Sequence, residues 1–396
     1  MTSALGAGLE PTLAALRGRR SGLTRQRWET VDLDTCIGAI DQLDTVTLRA
    51  DLRAFDCRNN RLAQLALEQD GFSPAVQGAA QRHGSARIGV FLGTSTSGIL
   101  SSEIAYRHRD PVTGALPAEH DYQHTHNSFS LADFVRRYFA LNGPAHVVST
   151  ACSSSAKVFG NAQRMIGSGL IDAAIVGGVD SLCLTTLYGF NSLQLISSQP
   201  CRPYDAQRDG ISMGEGAAFV LVERADQALA DDILLSGIGE SSDAHHMSSP
   251  HPEGLGARLA MEAALRMAGL QPADIDYINL HGTSTPSNDA AEDKGVSALF
   301  GARTPCSSTK GHTGHTLGAA GGIEAVICAL ALRHGFAPAG VGTQELDPRL
   351  SCHYLLTNLE QPMRHVLSNS FGFGGSNCSL VFSKASEVAR GTEVGR

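Results

Sequence analysis

Short, wholly apolar runs recur along the chain. Ile88–Leu92, Ala173–Val176 and Ala217–Val222 are runs of small and β-branched residues stopped by glycine or polar residues. That pattern predicts strands covered on both faces. A fourth run, Ile275–Leu280, has the same character, and Arg61–Leu67 has the spacing of a helix that turns one side to a core. Strands alternating with helices predict an α/β fold with largely parallel sheets.

Two strand exits carry the same signature. Gly93-Thr94-Ser95-Thr96-Ser97-Gly98 follows the first run, and His281-Gly282-Thr283-Ser284-Thr285-Pro286 follows Ile275–Leu280, repeating Gly-Thr-Ser-Thr. His146–Gly167 and Pro305–Leu332 echo each other as strand, turn and helix. The echoes predict a duplicated fold with one half over residues 1–225 and the other over 226–396. The polar stretch after Ser383 lacks an apolar period and is expected to be loosely held.

Composition narrows the function. With 396 residues, 42% of them hydrophobic, there is ample material for a large core. The net charge of −8 and the lack of a basic run argue against nucleic acid as a partner. Nine cysteines without CxxC pairs fit reduced thiols, and hence the cytoplasm, better than disulfides or a zinc site. Asp172–Val179 and Ala325–Leu332 are expected to be core elements rather than membrane spans, and the start has no signal-peptide pattern.

Cys152 stands where the run His146–Val148 gives way to the helical stretch Ser153–Ile166, among small residues that leave room for a substrate. A helix amino end favours thiolate over thiol, so Cys152 is expected to be a nucleophile for acyl transfer. Cys183, Cys201, Cys306, Cys328, Cys352 and Cys378 read as structural. His281, at a strand exit, and His315, before a glycine-rich helix start, are placed to stabilise oxyanion or enolate charge. Either one alone would read as a structural hydrogen-bonding residue. His245, His246 and His251 lack the i, i+4 spacing and matching carboxylate of a metal site. The loop Ser368–Asn377 is rich in glycine and suits backbone donation to an oxyanion, with no Walker lysine and no dinucleotide GxGxxG.

In this order, Thr150-Ala151-Cys152-Ser153-Ser154, Arg202-Pro203-Tyr204-Asp205, Asp243-Ala244-His245-His246-Met247, the His281 motif, Lys310–His315 and Phe371–Gly375 resemble the elongating β-ketoacyl-(acyl carrier protein) synthases of the thiolase superfamily. The resemblance runs to about Phe382. It implies the thiolase fold: two βαβαβαββ halves in a layered αβαβα arrangement, normally dimeric. It makes Cys152 the acyl acceptor and His281 and His315 the pair acting in decarboxylation. Lys310 would support them, with Glu324 as the acid of that network. Backbone N–H groups of Cys152 and Phe373 would form the oxyanion hole. Phe373 would gate the acyl pocket beside Phe371, and Thr283 and Thr285 would hold the phosphopantetheine arm. Neither a metal nor a dissociable cofactor is implied, since substrates arrive on an acyl carrier protein.

The chain departs from the family in three places. Met1–Gly6 resembles a point just after the family's first strand, which is therefore expected to be missing. Ser101 and Ser102 stand where larger aliphatics line the acyl pocket, so Ser102 is expected to contact substrate and to enlarge the space for bulky or aryl-capped polyene chains. The acidic balance leaves Arg58, Arg61, Arg136 and Arg137 as candidates for a carrier-docking patch. The setting can be fatty-acid synthesis or a specialised polyketide pathway, with a homodimer or a heterodimer with a ketosynthase-like subunit. The alternatives are a chain-length partner of another synthase, a thiolase-type acyltransferase or an acyl hydrolase.

Overall fold

The computed structural model of the chain describes residues 1–25 and 27–386. The first half opens with β1 (Thr2–Ser3), β2 (Gly6–Ala7), α1 (Leu9–Arg17), α2 (Arg58–Leu67) and α3 (Phe72–His83). It continues through β3 (Ile88–Gly93), α4 (Ile99–Arg107), α5 (Phe129–Tyr138), β4 (Ala145–Val148), α6 (Ser154–Gly167), β5 (Ala173–Asp180), α7 (Leu184–Ser192) and β6 (Gly216–Glu223). The second half runs β7 (Ile233–Ser242), α8 (Leu255–Ala268), β8 (Tyr277–Asn279), α9 (Pro286–Phe300), β9 (Pro305–Ser307), α10 (Lys310–Thr313) and α11 (Ala320–His334). Three short strands, β10 (Phe336–Ala337), β11 (His353–Tyr354) and β12 (Leu359–Glu360), precede β13 (His365–Gly372) and β14 (Ser376–Lys384). Residues 387–396 of the expected loose tail lie outside the described residues.

The two main sheets have the orders β2-β1-β6-β5-β3-β4 and β11-β9-β8-β13-β14-β7. Reading β3, β4, β5, β6 and β1 against β8, β9, β13, β14 and β7 makes the sheets topologically equivalent. Both pair the first three of these strands in parallel and add the fourth antiparallel. The Gly-Thr-Ser-Thr echo therefore marks one place used twice, the exits of β3 and β8. The strand expected to be missing is represented by β1, which pairs only Thr2 with Ala217 and Ser3 with Gly216. Its counterpart β7 pairs along the whole of β14. Beside the uncovered part of β6 lies a cleft of about 550 Å³, lined in part by Val220, Val222, Leu235 and Val326.

Sequence explains the layering. All eight residues of β5 are buried, as a continuous apolar run in a parallel sheet requires. Helices α6 and α11 pack on each other and between the two sheets. Helices α2, α3 and α5 cover the outer face of the first sheet, and α8 lies on the outer face of the second, with α9 packed against it. The result is the αβαβα order. Leu317–His334, which contains the expected core element Ala325–Leu332, is long and apolar enough by composition to cross a membrane, and 83% of it is buried. A helix apolar on all sides is what a central layer needs.

Small residues let α6 and α11 approach. A Cβ at Gly321 would lie 2.7 Å from Ala156 Cβ and 2.8 Å from the Ala156 backbone nitrogen. Gly321→Ala is therefore expected to cost about 1–3 kcal/mol through forced separation of the two helices, measured by urea unfolding. An unchanged midpoint would show that this crossing has slack.

Candidate active site

Cys152 sits on an elbow between β4 and α6. Ala151 adopts φ of 51°, and the turn is tied by Ser154 Oγ to the Ala151 carbonyl at 2.6 Å and by the Thr150 N–H to Ser154 Oγ at 2.9 Å. The thiol is only 4% exposed. Burial pushes its pKa up to about 12, against the pull of the Lys310 charge and of the Phe373 N–H directed at the sulfur. The expectation of a resting thiolate is thus corrected. The helix end is present, but desolvation outweighs it and the free site holds a thiol. His315 Nε2 lies 3.0 Å from Cys152 Sγ and is the neighbour that can take the proton.

His281 follows β8 and is 2% exposed. Its ring meets that of His315 edge-on, with centroids 5.4 Å apart. Lys310, at the start of α10, is 1% exposed; its ammonium donates to Glu324 Oε1 of α11 at 2.5 Å and to the His281 carbonyl. The same ammonium is 3.4 Å from His281 Nδ1. An ammonium has only donors, so His281 Nδ1 accepts and Nε2 carries the proton. Burial holds both histidines well below the usual imidazole range, Lys310 adding to the effect, so both rings are neutral. Burial also raises the Glu324 carboxyl, opposed by Lys310.

A cleft of about 40 Å³ joins Cys152, His281 and His315 to Thr283, Thr285, Phe371, Phe373, Asp243 and the Ser248–Pro250 turn. Thr283 and Thr285 hydroxyls are 3.0 Å apart, and Thr285 also caps α9 by accepting from the Asn288 N–H. Phe373 packs on Phe190 at 5.3 Å, closing one side. A thiol, a proton acceptor, neutral imidazole donors and an apolar lid together suit acyl transfer. The donor atoms of Cys152, His281 and His315 lie within 4.8 Å of one another. That spacing also suits a metal, but the Lys310 charge against His281 disfavours a second cation there.

Other expected residues fall elsewhere. Ser102, 5% exposed, does not line this cleft; its hydroxyl bonds His126 Nδ1 at 2.7 Å. Ser101 lines a separate cleft of about 260 Å³ with His108 and His120. Each arginine proposed for docking is paired with carboxylate: Arg58 with Glu215 and Asp44, Arg61 with Asp56, and Arg136 and Arg137 with Asp133. Exposed His245 and half-buried His251 pack on each other at 5.3 Å. Sequence reasoning missed Glu292 of α9, which accepts the His281 N–H at 2.8 Å and the Gly282 N–H at 2.7 Å. Its only signal was an acid on the helix after the His281 motif.

The fold and site define a thiolase-fold protein with a buried cysteine beside a histidine pair. Residues 6–228 match the N-terminal and 234–344 the C-terminal domain of β-ketoacyl synthase. The chain belongs to the β-ketoacyl synthase family. It is 30% identical to 3-oxoacyl-[acyl-carrier-protein] synthase 2 of Vibrio cholerae, over 97% of each chain. It is 39% identical to the mitochondrial 3-oxoacyl-[acyl-carrier-protein] synthase of Arabidopsis thaliana over 62% of this chain, spanning 57% of that relative's length, and 43% identical to the Rhizobium meliloti synthase 2, spanning 62% of it. Among solved structures, a chain of the complex of ketosynthase ApeO with its chain length factor ApeC from Xenorhabdus doucetiae matches with TM-score 0.88 and 40% identity, over 96% of this chain and 95% of that one.

Burial raises Glu292 to about 7, so across pH 4.5 to 7 the folded state holds a proton that the unfolded state has lost. Stability therefore falls as pH rises through that window, by up to about 3 kcal/mol from this group. Glu292→Gln is expected to flatten that fall in urea titrations at successive pH values. An undiminished fall would assign it to other carboxyls.

Proposed function

We propose that this protein is a β-ketoacyl-(acyl carrier protein) synthase that condenses malonyl-carrier protein, with loss of carbon dioxide, onto an acyl chain held on Cys152. The observation that carries the proposal is the 3.0 Å approach of His315 Nε2 to a buried Cys152 Sγ, with His281 in the same cleft. The deprotonated sulfur attacks the acyl thioester of the carrier. The carbonyl oxygen gains charge beside the N–H groups of Cys152 and Phe373, and the phosphopantetheine thiol leaves with a proton. In the second half, the malonyl carboxylate departs as carbon dioxide, and its electron pair becomes an enolate whose oxygen accepts from His281 Nε2–H, joined by His315 once that ring carries its proton on Nε2 rather than Nδ1. The enolate carbon bonds the acyl carbonyl, the Cys152 sulfur leaves as thiolate, and one proton taken up from solvent returns it to the resting thiol. Thr283 and Thr285 hold the pantetheine arm, Lys310 and Glu324 fix His281, and Phe371 and Phe373 screen the bond-forming atoms. The cycle balances without a metal or dissociable cofactor.

An acyl carrier protein is the proposed donor, and a ketosynthase-like subunit, a second copy or a chain-length factor, the proposed assembly partner. The Xenorhabdus complex supports the latter. All nine cysteines are free thiols, which supports a reducing compartment such as the cytoplasm. Fatty-acid and specialised polyketide or aryl-polyene synthesis both fit this chemistry.

Intact-mass spectrometry after incubation with a panel of acyl-carrier proteins tests the reaction. Acyl mass is expected on wild type and not on Cys152→Ala, with discharge as β-ketoacyl product once malonyl-carrier protein is added. Condensation by the variant should fall at least about 10³-fold. No adduct from any donor would instead favour a chain-length partner.

A further inference from the structure

Asp180 closes β5 and is fully buried, yet it has no ion-pair partner among the described residues. Its charge is met entirely by neutral donors. Oδ1 accepts from the Thr94 hydroxyl at 2.7 Å, the Ser95 N–H at 2.8 Å, the Thr96 N–H at 2.9 Å and the Thr96 hydroxyl at 2.8 Å. Oδ2 accepts from the Ser95 N–H at 3.1 Å and the Gly318 N–H at 2.5 Å. A carboxylate so desolvated and so heavily bonded fixes whatever donates to it.

The donors lead to both partners of the reactive pair. Ser95 Oγ donates to the carbonyl of Ala151, the left-handed residue directly before Cys152, at 3.2 Å. Gly318 lies three residues after His315, past Leu317 with φ of 51°. A Cβ at Gly318 would meet Ser95 Oγ at 2.7 Å and Asp180 Oδ2 at 2.8 Å, so this approach admits only glycine. On its other side, His315 is pinned by its N–H to the Ser212 carbonyl at 2.8 Å and by its carbonyl to the Gly214 N–H at 3.0 Å.

The geometry points to Asp180 as a positioning residue: one carboxylate, on the first half, sets the Cys152–His315 separation by holding the Ser95–Ala151 link and the turn that carries His315. This rests on Cys152 and His315 being the reacting pair. Asp180 touches no substrate-facing atom and acts only through these two loops. It is also one of the two acids, with Glu324, whose charge opposes thiolate formation at Cys152, while Lys310 favours it and the neutral His281 and His315 complete the surroundings.

Asp180→Asn keeps the shape but must aim an NH2 at one of the existing donors. Misplacement of the pair should lower kcat by about tenfold to a hundredfold with KM for carrier substrates within about twofold. A role in stability alone would leave the pH profile of Cys152 alkylation by iodoacetamide unmoved; here it should shift to lower pH as the opposing charge is lost. Ser95→Ala, which removes only the link to Ala151, should lower the alkylation rate several-fold at constant pH. If Asp180→Asn folds and matches wild type in kcat and profile, the proposal is overturned. Should that variant not fold, Ser95→Ala decides, and wild-type behaviour there overturns it equally. Wild-type enzyme that neither takes acyl mass on Cys152 nor condenses would instead sink the functional proposal, leaving the variant comparison of alkylation profiles to judge Asp180 separately.

Discussion

An ammonium group without water around it sets the geometry of the cleft. Lys310 is buried beside Glu324 and against His281, and its three donors leave little choice of arrangement. Removing one partner of such a pair leaves the other charge uncompensated, at a cost of about 3–5 kcal/mol. The pair ties α10, at the exit of β9, to the central helix α11. It also decides which nitrogen of His281 carries the proton, so a charge that does not line the cleft orients a group that does.

Burial shapes the rest of the site in one direction. It raises the thiol of Cys152 and lowers both imidazoles, so the three groups around the cleft are neutral at rest. A neutral site costs little to keep dry. Charge then develops only during reaction, where the Phe373 N–H, the helix end and the imidazole donors already point. A resting thiolate would instead have to be held desolvated throughout, at a standing cost in stability.

Much of this was legible in the sequence, for a physical reason. Cys152, His281, His315 and the glycine loop lie at strand exits, where local pattern announces both the element and its end. Lys310 and Glu324 could be assigned only through family resemblance, because a lysine on a short helix and a glutamate inside an apolar helix carry no local sign of each other. The pairing of the candidate docking arginines is invisible along the chain: Arg58 looks like a free cation until β6 brings Glu215 to it. Small size at Ser102 reads along the chain as open space, whereas its hydroxyl is engaged by His126 outside the Cys152 cleft. The apolar length of α11 reads the same whether lipid or protein surrounds it, and only the two sheets decide.

The duplication shows how one fold supports unlike chemistry. The Gly-Thr-Ser-Thr exits of β3 and β8 bend sharply and leave backbone N–H groups without partners, and each half must satisfy them in a dry interior. In the first half the acceptor is Asp180, from the end of a neighbouring strand. In the second it is Glu292, together with Asp289, which takes the Ser284 N–H, both from the helix that follows. The requirement is shared and the solutions are unrelated. The acid from the helix leaves the strand exit free to present His281, while the acid from the strand leaves the exit of β4 free to present Cys152. The two halves can therefore face one cleft with different reactive groups because the same backbone debt is met from opposite sides.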